Sequence, residues 1–201
     1  MNEIIIPSHI KGLIFDIDGT LADTMPLHFK ATQLVSQKYG FEFPLDYFLA
    51  KAGIPTHKVF EMLIHELGLT HLNAHAIAEE KEKVFLTLVH NAKPIKVVAD
   101  VVYKYQDQLP MALGTGANKE LAESILKAIG MRHLFEVIIT CEDVVHPKPS
   151  PDTFLKGAAQ IGIDPKFCLV FEDGEPGIIA AKAGGMEVID VRPYFSANIT
   201  I

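Results

Sequence analysis

Two aspartates set two residues apart and followed by a tight turn, Asp16-Ile17-Asp18-Gly19-Thr20, are the most chemically specific feature of the chain. They end a short apolar run, Lys11–Asp18, whose pattern predicts a β-strand. In a parallel α/β sheet, ligands bind beyond the carboxyl ends of the strands, which is where this motif falls. Residues two apart on a strand share a face, so Asp16 and Asp18 are expected to converge on one small volume. Carboxylates held that close repel unless a cation or a proton intervenes. A divalent metal is therefore expected, with Asp18 free to exchange a proton. Taken alone, the motif reads equally well as a strand end followed by an ordinary Asp-Gly turn.

Three further features weigh against that plain reading. Gly114-Thr115-Gly116 follows the strand-like Met111–Leu113, offering a hydroxyl and backbone N–H groups, and Asn118 is placed to cap the next helix at an anion site. Lys148 stands between two prolines in His146-Pro147-Lys148-Pro149, ahead of a helix that Ser150 is expected to cap, with Pro151 at its first position. Glu172 and Asp173 close a further apolar strand, Phe167–Phe171, with a pair of acids that suits a hard, oxygen-seeking cation, Mg²⁺ above all. Each has a bland counterpart: a strand-to-helix turn, a surface lysine in a proline-rich loop, a solvated turn. The coincidence of all four, each at an expected strand end, weighs against those counterparts.

The elements that must hold these residues alternate. Strand signals at Lys11–Asp18, Met111–Thr115, Val137–Thr140, Phe167–Phe171 and Glu187–Val191 are separated by helical patterns. In Asn118–Ile129 the apolar Leu121, Ile125, Leu126 and Ile129 share one face before Gly130, and further helices are expected from Ser150 to Ile161 and over Gly177–Ala183. Strands alternating with helices predict right-handed parallel crossovers and a Rossmann-like α/β fold of three layers, α/β/α. Residues 25–92 break the rhythm, with helical patterns at Pro26–Tyr39, Thr56–Leu67 and Ala74–His90 and no convincing strand. Linkers are expected at Pro26 and Lys93-Pro94. The expected organisation is an α/β core from residues 1–24 and 93–201, with a helical cap, 25–92, inserted after the first strand.

With 201 residues, 49% hydrophobic and 21% charged, the chain fits one domain carrying an insertion and excludes a disordered protein. A net charge of −7 argues against nucleic acid and against an anionic membrane surface as partners. The start, Met1–Ser8, lacks a basic segment and its run Ile4–Ile6 is broken by Pro7, so it does not read as a signal peptide. No stretch is long enough to span a bilayer. Cys141 and Cys168 show no metal or redox spacing and are expected as thiols in a reducing compartment, which predicts a cytoplasmic protein, taken here as a monomer. His71 and His75 have metal-like spacing, but Asn73 between them reads as a helix start that puts them across a turn.

The order DxDGT, a threonine after a strand, a lysine before a helix and a Glu-Asp pair resembles the haloacid-dehalogenase-like phosphatase superfamily. The helical insert is similar to the subfamily with a small helical cap, which contains β-phosphoglucomutase and small sugar phosphatases. LIFDIDGTLADT, PMALGTGANKELAESIL, HPKPSPDTFL and CLVFEDGEPGIIAAKAGGM carry the likeness over nearly the whole chain, towards members acting on fructose 1-phosphate. The resemblance implies that Asp16 is a nucleophile forming an aspartyl phosphate, and that Asp18 protonates the leaving oxygen and then takes a proton from water. It implies Mg²⁺ held by the Asp16 carboxylate, the Asp18 backbone carbonyl and Asp173, with Glu172 contributing directly or through water. Thr115 and the Gly116 N–H would hold phosphoryl oxygens, and Lys148 would neutralise transition-state charge. Thr24, His28, Lys81 and Asn118 would contact the sugar phosphate, against plainer roles for His28 on a helix surface and Lys81 in the charged run Glu79–Lys83. Gly174 stands where many relatives carry Ser or Ala. A mutase of the β-phosphoglucomutase type is the nearest alternative. A receiver domain lacks both an acid like Asp18 and a helical insert, and a true dehalogenase needs neither Asp18 nor the metal ligands.

Overall fold

The computed structural model describes residues 4–51 and 54–195; residues 1–3 of the N-terminal segment and residues 196–201 of the expected core lie outside them. In chain order the elements are β1 (Gly12–Phe15), β2 (Ala22–Asp23), α1 (Met25–Lys38), α2 (Leu45–Ala50), α3 (Thr56–Glu66) and α4 (Ala74–Leu88). There follow β3 (Lys93–Pro94), α5 (Lys96–Tyr105), β4 (Met111–Gly114), α6 (Lys119–Ala128) and β5 (Val137–Ile139). The chain then forms α7 (Asp152–Gln160), β6 (Cys168–Glu172), α8 (Glu175–Ala183) and β7 (Glu187–Asp190).

Five strands form one parallel sheet in the order β5-β4-β1-β6-β7. Successive side chains on a strand point to opposite faces, and the core divides accordingly. Leu13, Phe15, Leu113, Leu169 and Phe171 pack with buried residues of α5 and α6. Ile14, Ala112 and Val170 pack with Phe154 and Ala158 of α7 and Ala180 and Ala181 of α8. This is the expected three-layer α/β architecture. The chain runs outward from β1 through β4 to β5, then returns to the other side of β1 for β6 and β7. The reversal at β1 opens a crevice at the carboxyl ends of β1, β4 and β6, the usual ligand position in such sheets.

Residues 25–92 carry α1 to α4. Val35, Phe41, Phe43, Val59, Phe60, Leu63, Ile64, Ile77 and Ala78 form their own apolar cluster. Ala31, Phe85 and Val89 instead join the main core, so α1 and the end of α4 are anchored to the sheet side. The chain leaves and re-enters the sheet region through two short antiparallel strands, pairing Ala22 with Pro94 and Asp23 with Lys93.

Several local expectations are corrected. Pro26 sits in the first turn of α1, where a missing N–H costs nothing, and is not a linker. The helix expected from Ser150 starts at Asp152, because the Ser150 hydroxyl donates to the Asp152 carboxylate at 2.8 Å and caps no amide. Helices α2 and α5 carry no counterpart in the reading of the sequence. In α5 the buried Val98, Ala99, Val101 and Val102 form a helical face, but the three β-branched valines suit a strand equally well. Among the described residues no helix is long and apolar enough to cross a membrane, and Cys141 and Cys168 are free thiols.

Candidate active site

Asp16 is the first residue beyond β1, and its N–H still donates to the Phe171 carbonyl at 3.0 Å. There the strand stops: the Leu21 and Ala22 amides both donate to the Ile17 carbonyl, folding the chain into a tight loop. Gly19 takes a positive φ of 78° in that loop, and a Cβ there would overlap the Asp173 carboxylate. Beyond β6, Asp173 accepts a 3.0 Å hydrogen bond from the Thr20 hydroxyl. Carboxylate oxygens of Asp16, Glu172 and Asp173 lie within 4.8 Å of one another, a cluster able to hold a metal ion.

Lys148 bridges this cluster, its Nζ 2.7 Å from Asp16 Oδ1 and 2.7 Å from Glu172 Oε1. Its ammonium also lies 4.5 Å from the centre of the Phe154 ring. Glu172 is further fixed by the Gly174 N–H, which donates to Oε2 at 2.7 Å. Asp16 and Glu172 are only 6% and 3% exposed. Burial raises the Asp16 carboxyl well above its ordinary pKa, Lys148 lowers it, and Glu172 and Asp173 raise it again. Burial, then the Glu172 charge, pushes Asp173 up to about 7. Burial alone would lower the Lys148 pKa, but the Asp16 and Glu172 carboxylates outweigh it and hold the ammonium charged. One largely enclosed cation thus faces two buried carboxyls, with the half-buried Asp173 beside them, and the remaining negative charge and all-oxygen donor set fit a hard divalent ion.

The third wall comes from β4. The Thr115 N–H donates to the Ile139 carbonyl at 2.9 Å, and the Thr115 hydroxyl accepts from the Ala117 N–H at 3.0 Å. Asn118 caps α6 as expected, its side chain accepting from the Leu121 N–H at 2.9 Å. That role ties up its carbonyl oxygen and leaves only its NH₂ for a ligand. Beside Gly116 the space is open.

Asp18 points elsewhere. The expectation that the Asp16 and Asp18 carboxylates converge is corrected, because the strand ends at Phe15 and the period of two no longer applies. The Asp18 carboxylate accepts from the Thr24 hydroxyl at 2.6 Å and contacts His28 Nε2 at 3.1 Å. His28 stacks on Phe85, ring centres 3.9 Å apart, and its Nδ1 lies 2.8 Å from Lys81 Nζ. A lysine ammonium can only donate, so Nδ1 accepts, the imidazole is neutral, and its proton sits on Nε2 facing Asp18. Burial, then the Lys81 charge, lowers the His28 pKa, consistent with a neutral ring. Burial tends to raise the Asp18 carboxyl, but the His28 hydrogen bond and charge and the Thr24 hydroxyl together hold it low. With the ring neutral, the hydrogen bond is the larger surviving part.

Lys81 is 3% exposed, which overturns its reading as a solvated member of the charged run. Thr24 and His28 meet the Asp18 carboxylate, and Lys81 reaches it through His28. Asn73 caps α4 as expected, and His75 in that helix's first turn stacks on His57, ring centres 4.5 Å apart. Thr20, Phe85, Gly177 and Glu82 were missed. Thr20 was visible within the DxDGT motif, whereas Glu82 had no signal beyond its place in a charged run.

A family model described as haloacid dehalogenase-like hydrolase matches residues 13–191. Fructose-1-phosphate phosphatase YqaB of Escherichia coli is 43% identical over 90% of this chain and 96% of its own. β-Phosphoglucomutase of Bacillus subtilis is 24% identical over 96% of this chain and 89% of its own. In three dimensions, a haloacid dehalogenase-like protein of Agrobacterium tumefaciens aligns with a TM-score of 0.76 at 24% identity, covering 89% of this chain and 81% of that one. That last likeness speaks to the fold.

Proposed function

Since the chain belongs to the haloacid dehalogenase-like hydrolases, we propose that it is a Mg²⁺-dependent phosphomonoesterase for a small sugar phosphate of the fructose 1-phosphate type. The observation that carries this reading is the division of labour between two neighbouring aspartates. Asp16 lies among metal-suited carboxyls against Lys148, whereas Asp18 lies outside them in a hydrogen-bonded network of its own. Without a metal the shifts alone would cast the roles the other way, Asp16 raised and Asp18 low. A bound cation beside Asp16 inverts that logic and leaves Asp16 the ionised nucleophile, with Asp18, outside the cluster, as the proton-exchanging group.

In the proposed reaction an Asp16 carboxylate oxygen attacks phosphorus, the bond from phosphorus to the sugar oxygen breaks, and that oxygen takes a proton from Asp18, which must first be loaded with it against its lowered pKa. Water then attacks the aspartyl phosphate, passes a proton to Asp18 and frees Asp16 and inorganic phosphate. Thr115 and the Gly116 N–H hold phosphoryl oxygens, and Lys148 stabilises charge on them while fixing Asp16. Mg²⁺, held by Asp16, the Asp18 carbonyl, Asp173 and Glu172, would offset the charge of the phosphoryl group when bound. Thr24, His28, Lys81 and Asn118 contact the sugar phosphate; the first three also hold Asp18, and Asn118 holds the Thr115 loop. Residues 25–92 act as a cap that sets specificity over the core of 1–24 and 93–201. The protein works as a cytoplasmic monomer.

The test is phosphate release with Mg²⁺ over a panel of sugar phosphates that includes fructose 1-phosphate, beside Asp16→Ala. Wild type is expected to hydrolyse at least one of them and the variant none; activity surviving in Asp16→Ala overturns the nucleophile. The mutase reading is favoured by β-phosphoglucomutases among the similar sequences and solved structures. Conversion of β-glucose 1-phosphate to glucose 6-phosphate as the main product would establish it over hydrolysis.

A further inference from the structure

Lys81 and Glu82 are consecutive on α4, and neighbours in a helix do not normally face each other. Here they do: Glu82 Oε1 accepts from Lys81 Nζ at 3.1 Å, and the Thr56 hydroxyl at the start of α3 donates to the same oxygen at 3.4 Å. Among the described residues this is the one carboxylate within hydrogen-bonding distance of the Lys81 ammonium, whose side chain is 4% exposed. The other Glu82 oxygen is buried and has no hydrogen-bond partner among the described residues. A buried carboxylate oxygen left without a donor is costly. The Glu82 side chain as a whole is 35% exposed, and the hydrogen bonds it makes among the described residues all run through Oε1.

We propose that Glu82 is a positioning residue for the proposed proton-exchanging carboxylate: it anchors the Lys81 ammonium that also contacts His28, so that His28 presents an N–H to Asp18. The lysine stem is long and flexible, and one neutral imidazole does not fix a buried ammonium. With Glu82 in place, Lys81 donates to Nδ1 and confines the imidazole proton to Nε2. Were Lys81 to swing away, the proton could move to Nδ1, and a bare Nε2 lone pair would face the Asp18 carboxylate. Two acceptors would then confront each other and turn Asp18 out of line.

This inference rests on Asp18 protonating the leaving sugar oxygen, and the experiment separates the two claims through leaving-group chemistry. A sugar alkoxide needs that proton and p-nitrophenolate does not. The measure is kcat/KM, which reports steps up to departure of the leaving group. For Glu82→Gln it is expected to fall about tenfold with the sugar phosphate that wild type hydrolyses best, part of what general acid catalysis contributes. With p-nitrophenyl phosphate it should stay within about twofold. A fall in melting temperature is expected, since the change leaves the buried Lys81 ammonium without its paired charge, and it is the ratio between the two substrates that separates positioning from a structural role. In a Lys81→Met background, Glu82→Gln should cause no further loss. Equal loss on both substrates, loss on neither, or losses that multiply in the double variant would each overturn the role of Glu82. Asp18→Asn is the reference. If it lowers both substrates alike, the reading of Asp18 fails; if it is selective and Glu82→Gln is not, only the inference about Glu82 falls.

Discussion

Gly177 lies on α8 with the Glu172 carboxylate in the space its Cβ would fill. Alanine there favours the helix by up to about 1 kcal/mol, yet it must displace a carboxylate tied to Lys148 and the Gly174 N–H. Gly177→Ala should therefore lower kcat at least tenfold and raise the Mg²⁺ concentration for half-maximal rate, without unfolding; wild-type kinetics would show that the position of Glu172 is not critical. The carboxyls also make a pH prediction. Asp173 titrates near 7 in the folded protein and about 3.9 when unfolded, so between those values only the folded state keeps the proton. Metal-free stability from this group is therefore full at low pH and lost as pH rises towards 7, and Asp16 acts in the same sense. His28 acts in the opposite sense, because its lowered pKa makes folding exclude a proton below about 6.5. It lies outside the acidic cluster, so it drops out of the difference between samples with and without Mg²⁺. The rise in melting temperature on adding Mg²⁺ should thus be larger at pH 7.5 than at pH 5.5; an equal rise at both would sink this account.

At the scale of elements, Asn118 links stability to function. Its side chain satisfies the Leu121 N–H at the start of α6, and loss of such a cap typically costs about 1 kcal/mol. Asn118→Ala is expected to lower the melting temperature by about 2–4 °C, and to reduce kcat/KM because the Thr115–Ala117 turn leads directly into that helix. A melting shift with unchanged kcat/KM would confine Asn118 to capping. That cap was legible because Asn before a polar-apolar periodic run has one physical explanation, and Asn73 on α4 was legible in the same way. The five sheet strands were legible as apolar runs bounded by turns. Helix α5 was not, since valines at positions 98, 101 and 102 satisfy strand and helix templates alike and only burial against the sheet decides. The short helix α2 buries none of its residues, so no apolar period marks it. In the site, Asp16, Lys148, Glu172 and Asp173 were legible because each ends, follows or shortly precedes an element. The network of Asp18, His28, Lys81 and Glu82 was hidden, because it joins α1 to α4 across dozens of residues.

For the whole molecule, 25 acids against 18 basic residues would repel a phosphorylated ligand, were charge read only as a sum. The acids that matter are local, and a bound cation reverses their effect at short range. The helical insertion is likewise divided in its attachment. Phe85 and Val89 of its last turns and Ala31 of α1 belong to the main core, whereas α3 packs Val59, Phe60, Leu63 and Ile64 only into the smaller cluster. Opening α2 and α3 exposes that smaller cluster alone, whereas releasing α1 and the end of α4 uncovers part of the main core as well. Local opening free energies follow such differences in buried apolar contact. Native-state hydrogen exchange read on peptides should therefore show α2 and α3 exchanging fastest of the helices, with α1 and the last turns of α4 approaching the protection of β1 and β6. Equal, low protection across α1 to α4 would mean that the insertion opens as one unit. In that event His28, Lys81 and Glu82 would leave Asp18 together, and its hydrogen-bond network would form only while the insertion is closed. The expected pattern instead keeps that network assembled while the outer helices move.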